Sequence, residues 1–244
     1  MNRSKLIGYS VLHNGEYSEI VKAIQNEEEI PERVLQIIKN ENLESKTITI
    51  FDENYPKSLF TLDCPPLVLY YKGNPELLKF KEENVGLVGS RMPCDYSIKA
   101  TKQLCHLFDD MVIISGLAKG IDAVVHETAT KTIAVLGCGI DYIYPRCNFD
   151  LFKKVEKNGL ILSEYPLNTK PLSFHFPFRN RIIAALSEVL YVAECKQSSG
   201  TMTTVNKALE LGKSVKILPF DIFTAEKYEV YNNELINEGA EIWG

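Results

Sequence analysis

Six short apolar runs recur every 20–30 residues in this 244-residue chain: Val85–Val88, Val112–Ile114, Ile133–Leu136, Leu160–Leu162, Val189–Val192 and Val215–Leu218. Near-continuous apolar runs of this length suit strands buried on both faces, because a strand with one face in water would alternate apolar and polar residues. The segments between them, Ile98–Phe108, Ala123–Thr130, Asn148–Asn158, Asn180–Leu186 and Thr203–Leu211, carry helical spacing and suit crossover helices. The pattern predicts an α/β fold with a mostly parallel, doubly wound sheet and helices on both faces. With 45% hydrophobic and 24% charged residues the chain has enough apolar material for such a core, which sets aside disorder and coiled coil.

The first third reads differently. Ile20, Val21 and Ile24, then Val34, Leu35, Ile37 and Ile38, keep helical spacing on either side of the acidic run Glu27–Glu29 and Pro31, which predicts two short helices. Two β-rich segments follow, Thr47–Phe51 and Leu67–Tyr71, punctuated by Pro56, Pro65, Pro66 and the Gly73-Asn74-Pro75 turn. The expected division is a short helical N-terminal extension, 1–46, packed against a main domain, 47–244. No internal repeat or low-complexity stretch interrupts either part.

In open α/β sheets, ligands bind outside the carboxyl ends of the strands. The residues that follow the runs here are small, hydroxylated or basic: Gly89-Ser90-Arg91, then Ser115-Gly116-Leu117-Ala118-Lys119-Gly120, Gly137-Cys138-Gly139, Ser163-Glu164-Tyr165-Pro166, and Glu194 followed by Ser198-Ser199-Gly200-Thr201. Small residues let backbone N–H groups approach an anion, a following helix adds its positive end, and Arg91 and Lys119 add charge. One glycine after a strand is ordinarily a tight turn. Recurrence of this chemistry at several strand ends on one rim predicts phosphate binding there. The segment Phe174-His175-Phe176-Pro177-Phe178-Arg179-Asn180-Arg181 adds two arginines, read as facing the ligand, beside three phenylalanines that are either core or stacking faces for bases.

Catalytic constellations are weak by comparison. The glycine-rich stretches fit neither a P-loop nor a dinucleotide fingerprint, and no G-x-S-x-G elbow is present. Asp122 and His126, four apart on one helical face, read as a structural pair, and Glu164 and Glu194 as carboxylates that hold loops or arginines. Ser199-Gly200-Thr201 with Glu194 also allows a second reading: a degenerate form of the loop with which Rossmann-like phosphoribohydrolases cleave nucleoside monophosphates.

The six cysteines form no C-x-x-C pair and no zinc-spaced cluster with the four histidines, so reduced, mostly buried thiols without metal or other cofactor are expected. The start of the chain lacks a signal-peptide core and no stretch approaches a membrane span, which points to the cytoplasm. A net charge of −5 argues superficially against a nucleic-acid partner. By segment, however, residues 1–85 carry −4, residues 86–200 carry +2 and residues 201–244 carry −3, so the rim motifs lie in the one stretch with a positive balance.

These motifs, in their order, resemble the DNA processing protein A (DprA/Smf) family. The resemblance begins at Phe51-Asp52-x-x-Tyr55-Pro56 and Tyr71-Lys72-Gly73-Asn74, continues through Gly89-Ser90-Arg91, Ser115–Asp122 with His126, Thr132–Gly137 and Tyr144-Pro145, and ends with Ser163–Pro166, Phe176–Ala184, Ser199–Thr201 and Asn233–Ile236. It implies an extended Rossmann-like domain that binds single-stranded DNA, double-stranded DNA more weakly, forms homodimers and loads the RecA recombinase during natural transformation, without catalysis. It also implies a DNA pocket at Gly89, Ser90, Arg91, Ser115, Gly116, Lys119, Gly120, Arg179, Asn180 and Arg181, to which the rim chemistry adds Ser199, Gly200 and Thr201. Two departures are a chain expected to lack the C-terminal winged-helix domain of many members and a tighter connection between His126 and Thr132.

Overall fold

The computed structural model describes residues 1–79 and 84–243. Helices α1 (Arg3–Leu12), α2 (Tyr17–Gln25) and α3 (Glu32–Asn40) precede strands β1 (Thr47–Thr49) and β2 (Val68–Gly73). An alternating series follows: β3 (Asn84–Val88), α4 (Asp95–Leu107), β4 (Val112–Ser115), α5 (Ile121–Thr128), β5 (Lys131–Leu136), α6 (Phe149–Asn158), β6 (Leu160–Ser163), α7 (His175–Leu186), β7 (Val189–Val192), α8 (Gly200–Glu210) and β8 (Ser214–Ile217). Helices α9 (Ile222–Tyr228) and α10 (Asn232–Asn237) and a two-residue strand β9 (Glu241–Ile242) complete it.

All the strands join one sheet in the order β1-β2-β6-β5-β4-β3-β7-β8-β9. From β6 to β9 the pairing is parallel, while β1 and β2 run antiparallel to each other and β2 antiparallel to β6. The six runs are therefore strands, as the sequence predicts, and the two earlier β segments extend the same sheet. The chain winds outward from β3 through β4 and β5 to β6, then returns to the other side of β3 for β7 and β8. This reversal leaves a crevice above the carboxyl ends of β3 and its neighbours.

Successive side chains of the central strands serve opposite faces, as the two-residue period requires. Val112 and Ile114 pack with Ile182 and Ile183 of α7 and Val205 of α8. Ile113 between them packs with Leu104 of α4 and Val125 of α5. Each of these fully buried branched side chains stabilises the fold by about 1.5–3 kcal/mol. Leu136 and Ile161 share their face with Phe152 of α6 and with Leu6, Ile7 and Ile20 of the N-terminal helices. Those helices thus cover the β5–β6–β2 part of the sheet, where Tyr70 of β2 donates a hydrogen bond of 2.9 Å to Ser10.

Helix α1 has no counterpart in the sequence reading, because Leu6, Ile7, Gly8, Tyr9 and Ser10 are buried in succession and leave no amphipathic stripe. Asn2 caps it, its side chain accepting from the Lys5 amide at 2.9 Å. Among the described residues no helix is long and apolar enough to cross a membrane.

Candidate nucleic-acid interface

Glycine geometry brings the first two strand-end loops together. Gly120 adopts φ +77°, and a Cβ there would collide with the Ser90 carbonyl. The same close approach lets the Ile121 amide, at the start of α5, donate to Ser90 O at 3.0 Å. Thr201 then ties the first loop to α8, its hydroxyl donating to Gly89 O at 3.0 Å. Asn180 ties α7 to the same helix through Nδ2, which donates to Gly200 O at 3.0 Å and to Thr203 Oγ1 at 2.7 Å.

These contacts enclose a cavity of about 630 Å³ lined by Gly89, Ser90, Arg91, Arg179, Asn180 and the Ser199–Thr201 turn. A smaller recess of about 260 Å³ adjoins it, sharing Arg91, Tyr144, Phe176 and Arg179 and adding Lys119. Arg91 is exposed and lies 5.9 Å from the Phe176 ring centre. Phe176 in turn packs against Tyr144 at 5.5 Å, so a cation and two aromatic faces stand side by side at the mouth. Ser199, the residue before α8, contributes a hydroxyl oxygen that is buried without a hydrogen-bond partner. The positive end of the 11-residue helix α8 faces the same space.

Nine of the thirteen residues singled out from sequence line one or both recesses: Gly89, Ser90, Arg91, Lys119, Arg179, Asn180, Ser199, Gly200 and Thr201. The other four act from behind. The Ser115 hydroxyl is not free for a ligand, since it donates to Leu87 O at 2.7 Å and stitches β4 to β3. Gly116 packs between Asp122 and Arg179, and Gly120 joins the loops as described. Arg181, read from sequence as facing the ligand, does not line the cavity: its guanidinium is buried and bonded to Glu164, Cys64 O and Phe178 O. Two residues along a helix lie roughly 200° apart, so Arg179 and Arg181 cannot face the same space.

The phenylalanines divide likewise. Phe176 lines the cavity, Phe178 lies under the Arg181 guanidinium at 3.7 Å, and Phe174 is exposed.

Asp122 and His126 do not bond to each other, contrary to the pairing read from their spacing. Asp122 Oδ2 accepts from the Ala118 amide at 3.2 Å, and His126 Nε2 donates to Gly116 O at 2.5 Å with Nδ1 2.7 Å from Thr132 Oγ1. Burial pushes His126 down to about 4, so it is a neutral brace of the loop. Burial pushes the Asp122 carboxyl up, against the pull of Arg179.

Sequence reasoning missed two charged residues of the cavity lining, Asp122 and Lys196. Lys196 is paired with Glu229 at 2.8 Å. Its position after β7, between Glu194 and Ser199, was the available signal. The two carboxylates that a hydrolase could have used are committed elsewhere. Glu194 accepts from the Cys94 amide at 2.9 Å and Ser97 Oγ at 2.7 Å, holding the start of α4, and Glu164 holds Arg181. Among the described residues no His, Cys, Asp and Glu cluster could hold a metal ion.

The family described as DNA recombination-mediator protein A matches residues 46–244. DNA processing protein DprA of Streptococcus pneumoniae is 41% identical over 201 residues, 80% of this chain and 70% of that protein. The protein of the same name from Bacillus subtilis is 39% identical over 220 residues, 86% of this chain and 72% of that protein. The solved structure of the S. pneumoniae protein superimposes with a TM-score of 0.76 at 34% identity, covering 98% of this chain and 91% of that one. DNA processing protein A from Helicobacter pylori, whose structure was described for its single-stranded DNA binding mode, gives a TM-score of 0.68 at 32% identity, covering 79% of this chain and 97% of that one. A match over four fifths of the chain, with these relatives and the shared sheet, shows that the chain belongs to the DNA recombination-mediator protein A family.

Proposed function

We propose that this protein binds single-stranded DNA in the crevice above β3, β4 and β7 and acts as a recombination mediator that places RecA on incoming strands. The observation that carries the reading is the convergence of Arg91, Lys119 and Arg179 with the Phe176–Tyr144 pair and the start of α8 around two adjoining recesses. Cations and a helix end neutralise phosphates, and aromatic faces stack unpaired bases without regard to sequence. Recesses of this size take single nucleotides, whereas a duplex keeps its bases paired and inaccessible, so double-stranded DNA binds more weakly. The DNA-contacting set is Gly89, Ser90, Arg91, Lys119, Arg179, Asn180, Ser199, Gly200 and Thr201.

The role is binding without catalysis. Its support is the commitment of Glu164 and Glu194 to structural hydrogen bonds, which removes the acid that phosphoribohydrolase chemistry would need. The protein acts as a cytoplasmic homodimer, and the face that pairs is α9, where Ile222 is 70% and Phe223 85% exposed. Residues 1–46 are a helical extension of a DNA-binding domain that spans 47–244.

The test is binding of a labelled single-stranded oligonucleotide challenged with single- and double-stranded competitors. Displacement by the single strand at much lower concentration supports the reading, and equal displacement by the duplex contradicts it. The mediator role is tested separately: added protein should shorten the lag of RecA filament assembly on strands coated with single-strand-binding protein.

A further inference from the structure

The DNA cavity holds a buried carboxylate that an anion-binding site does not need. Asp122 lines it and is 8% exposed. It lies in the first turn of α5, opposite the guanidinium of Arg179 from α7. The two groups converge on Gly116: a Cβ there would overlap Asp122 Oδ2 and lie 2.7 and 2.9 Å from Arg179 Nη2 and Nη1. Only a glycine leaves room for a carboxylate and a guanidinium to face each other at this point.

We propose that Asp122 makes strand binding proton-coupled: its carboxylate stands in the empty cavity beside Arg179, whose guanidinium is held by Val135 O and Asn180 Oδ1, and it takes up a proton when a backbone phosphate enters. The proposal rests on the single-stranded DNA reading of this cavity. The charged and titratable groups around Asp122 are few. Arg179 of α7 and Arg91 of the loop after β3 attract its anionic form. The Ala118 amide, from the loop after β4, donates a hydrogen bond to it, and Ser115, the last residue of β4, lies beside it. His126, one turn further along α5, is held neutral by burial, at about 4. Cys138, after β5, is pushed up to about 12 and stays a thiol. Lys119 opens onto the adjoining recess.

Burial already disfavours the Asp122 anion, and the two arginines oppose that effect. A phosphodiester in the cavity brings a negative charge beside the carboxylate and occupies the same guanidiniums, and both changes favour the protonated acid. The step is a plain proton uptake. The carboxylate gains one proton from the buffer, Arg179 stays a cation paired with the phosphate, and no covalent bond of the DNA changes. Binding therefore strengthens as pH falls, and the carboxylic acid left beside the phosphate is a hydrogen-bond donor.

The experiment is calorimetric titration with oligothymidylate, whose bases do not titrate between about pH 6 and about pH 8. Runs in buffers of different ionisation enthalpy give the protons taken up per strand. The wild type should take up a proton in this range, approaching one per occupied cavity. Asp122→Asn keeps the side-chain shape and its acceptor oxygen. It should abolish the uptake, flatten the pH dependence and raise affinity at neutral pH by up to about tenfold. No uptake by the wild type across the range, or uptake that survives in Asp122→Asn, overturns the proposal even if that variant is poorly folded, since the wild-type arm stands alone. Arg91→Ala separates the two levels. If it leaves binding unchanged, the site reading fails. If it weakens binding while no proton is taken up, only the role of Asp122 fails.

Discussion

Nη2 of Arg181 reaches both carboxylate oxygens of Glu164, at 2.7 and 2.8 Å, with neither side chain more than 7% exposed. The pair sits beneath α7, and its other donors hold Cys64 O and Phe178 O, so it fastens the helix that presents Arg179 to the chain ahead of β2. Removing one partner strands a buried charge. Glu164→Gln is expected to lower stability by about 3–5 kcal/mol in urea unfolding. Oligonucleotide affinity of the folded fraction should stay unchanged, because neither residue lines the cavity. A large loss of affinity with stability intact would show that Arg181 contacts DNA after all.

Gly120 is the hinge on which the two loops close. In Gly120→Ala a side chain must occupy φ +77° and displace the Ser90 carbonyl. The expected cost is about 1–3 kcal/mol of stability. Strand affinity should fall by about tenfold, because the start of α5 moves away from the Gly89–Arg91 loop. Gly212, which is also at positive φ but has open space around it, is the control: alanine there should leave affinity unaltered.

His126 gives a pH dependence with a definite sign. Its folded value of about 4 lies below the unfolded value of about 6.5, so between them the unfolded chain binds more protons. The contribution is fully present above about pH 6.5 and is lost as pH falls towards 4, about 3 kcal/mol in all. Asp122 and Glu164, both pushed up by burial, act in the opposite direction. NMR of the His126 ring isolates the effect: the resonance should stay at the neutral position down to about pH 4. Titration near pH 6.5 would contradict the burial argument.

Helix α9 has no buried residue, and Ile222 and Phe223 project from it into solvent. Ile222→Arg with Phe223→Arg should convert a dimer into a monomer in light scattering, with little change in melting temperature. A dimer that survives both changes would place the interface elsewhere.

How much of this was legible in the sequence follows from what each signal measures. Runs such as Val112–Ile114 report burial on two faces, which is why the order of strands and crossover helices could be read in advance. The rim could be read because glycine, hydroxyl and basic residues recur at strand ends, a local property. Helix phase was harder: with α7 starting at His175, Arg179 and Arg181 point to different sides, which composition alone does not reveal. Asp122 was misread for the opposite reason. Its spacing from His126 suggested a pair, but its hydrogen bond comes from the Ala118 amide, and Arg179, 57 residues away along the chain, faces it across Gly116. Helix α1, buried on most sides, offered no periodic signal at all.

The central claim is that a local cluster of cations in an acidic protein holds the strand. Arg91 and Lys119 are exposed, so Arg91→Ala with Lys119→Ala leaves the fold intact. The direct measurement is a salt series of oligonucleotide binding by wild type and double variant. Loss of two phosphate contacts predicts much weaker binding and a slope of log affinity against log salt shallower by about 1.4. Unchanged affinity and slope would contradict the account.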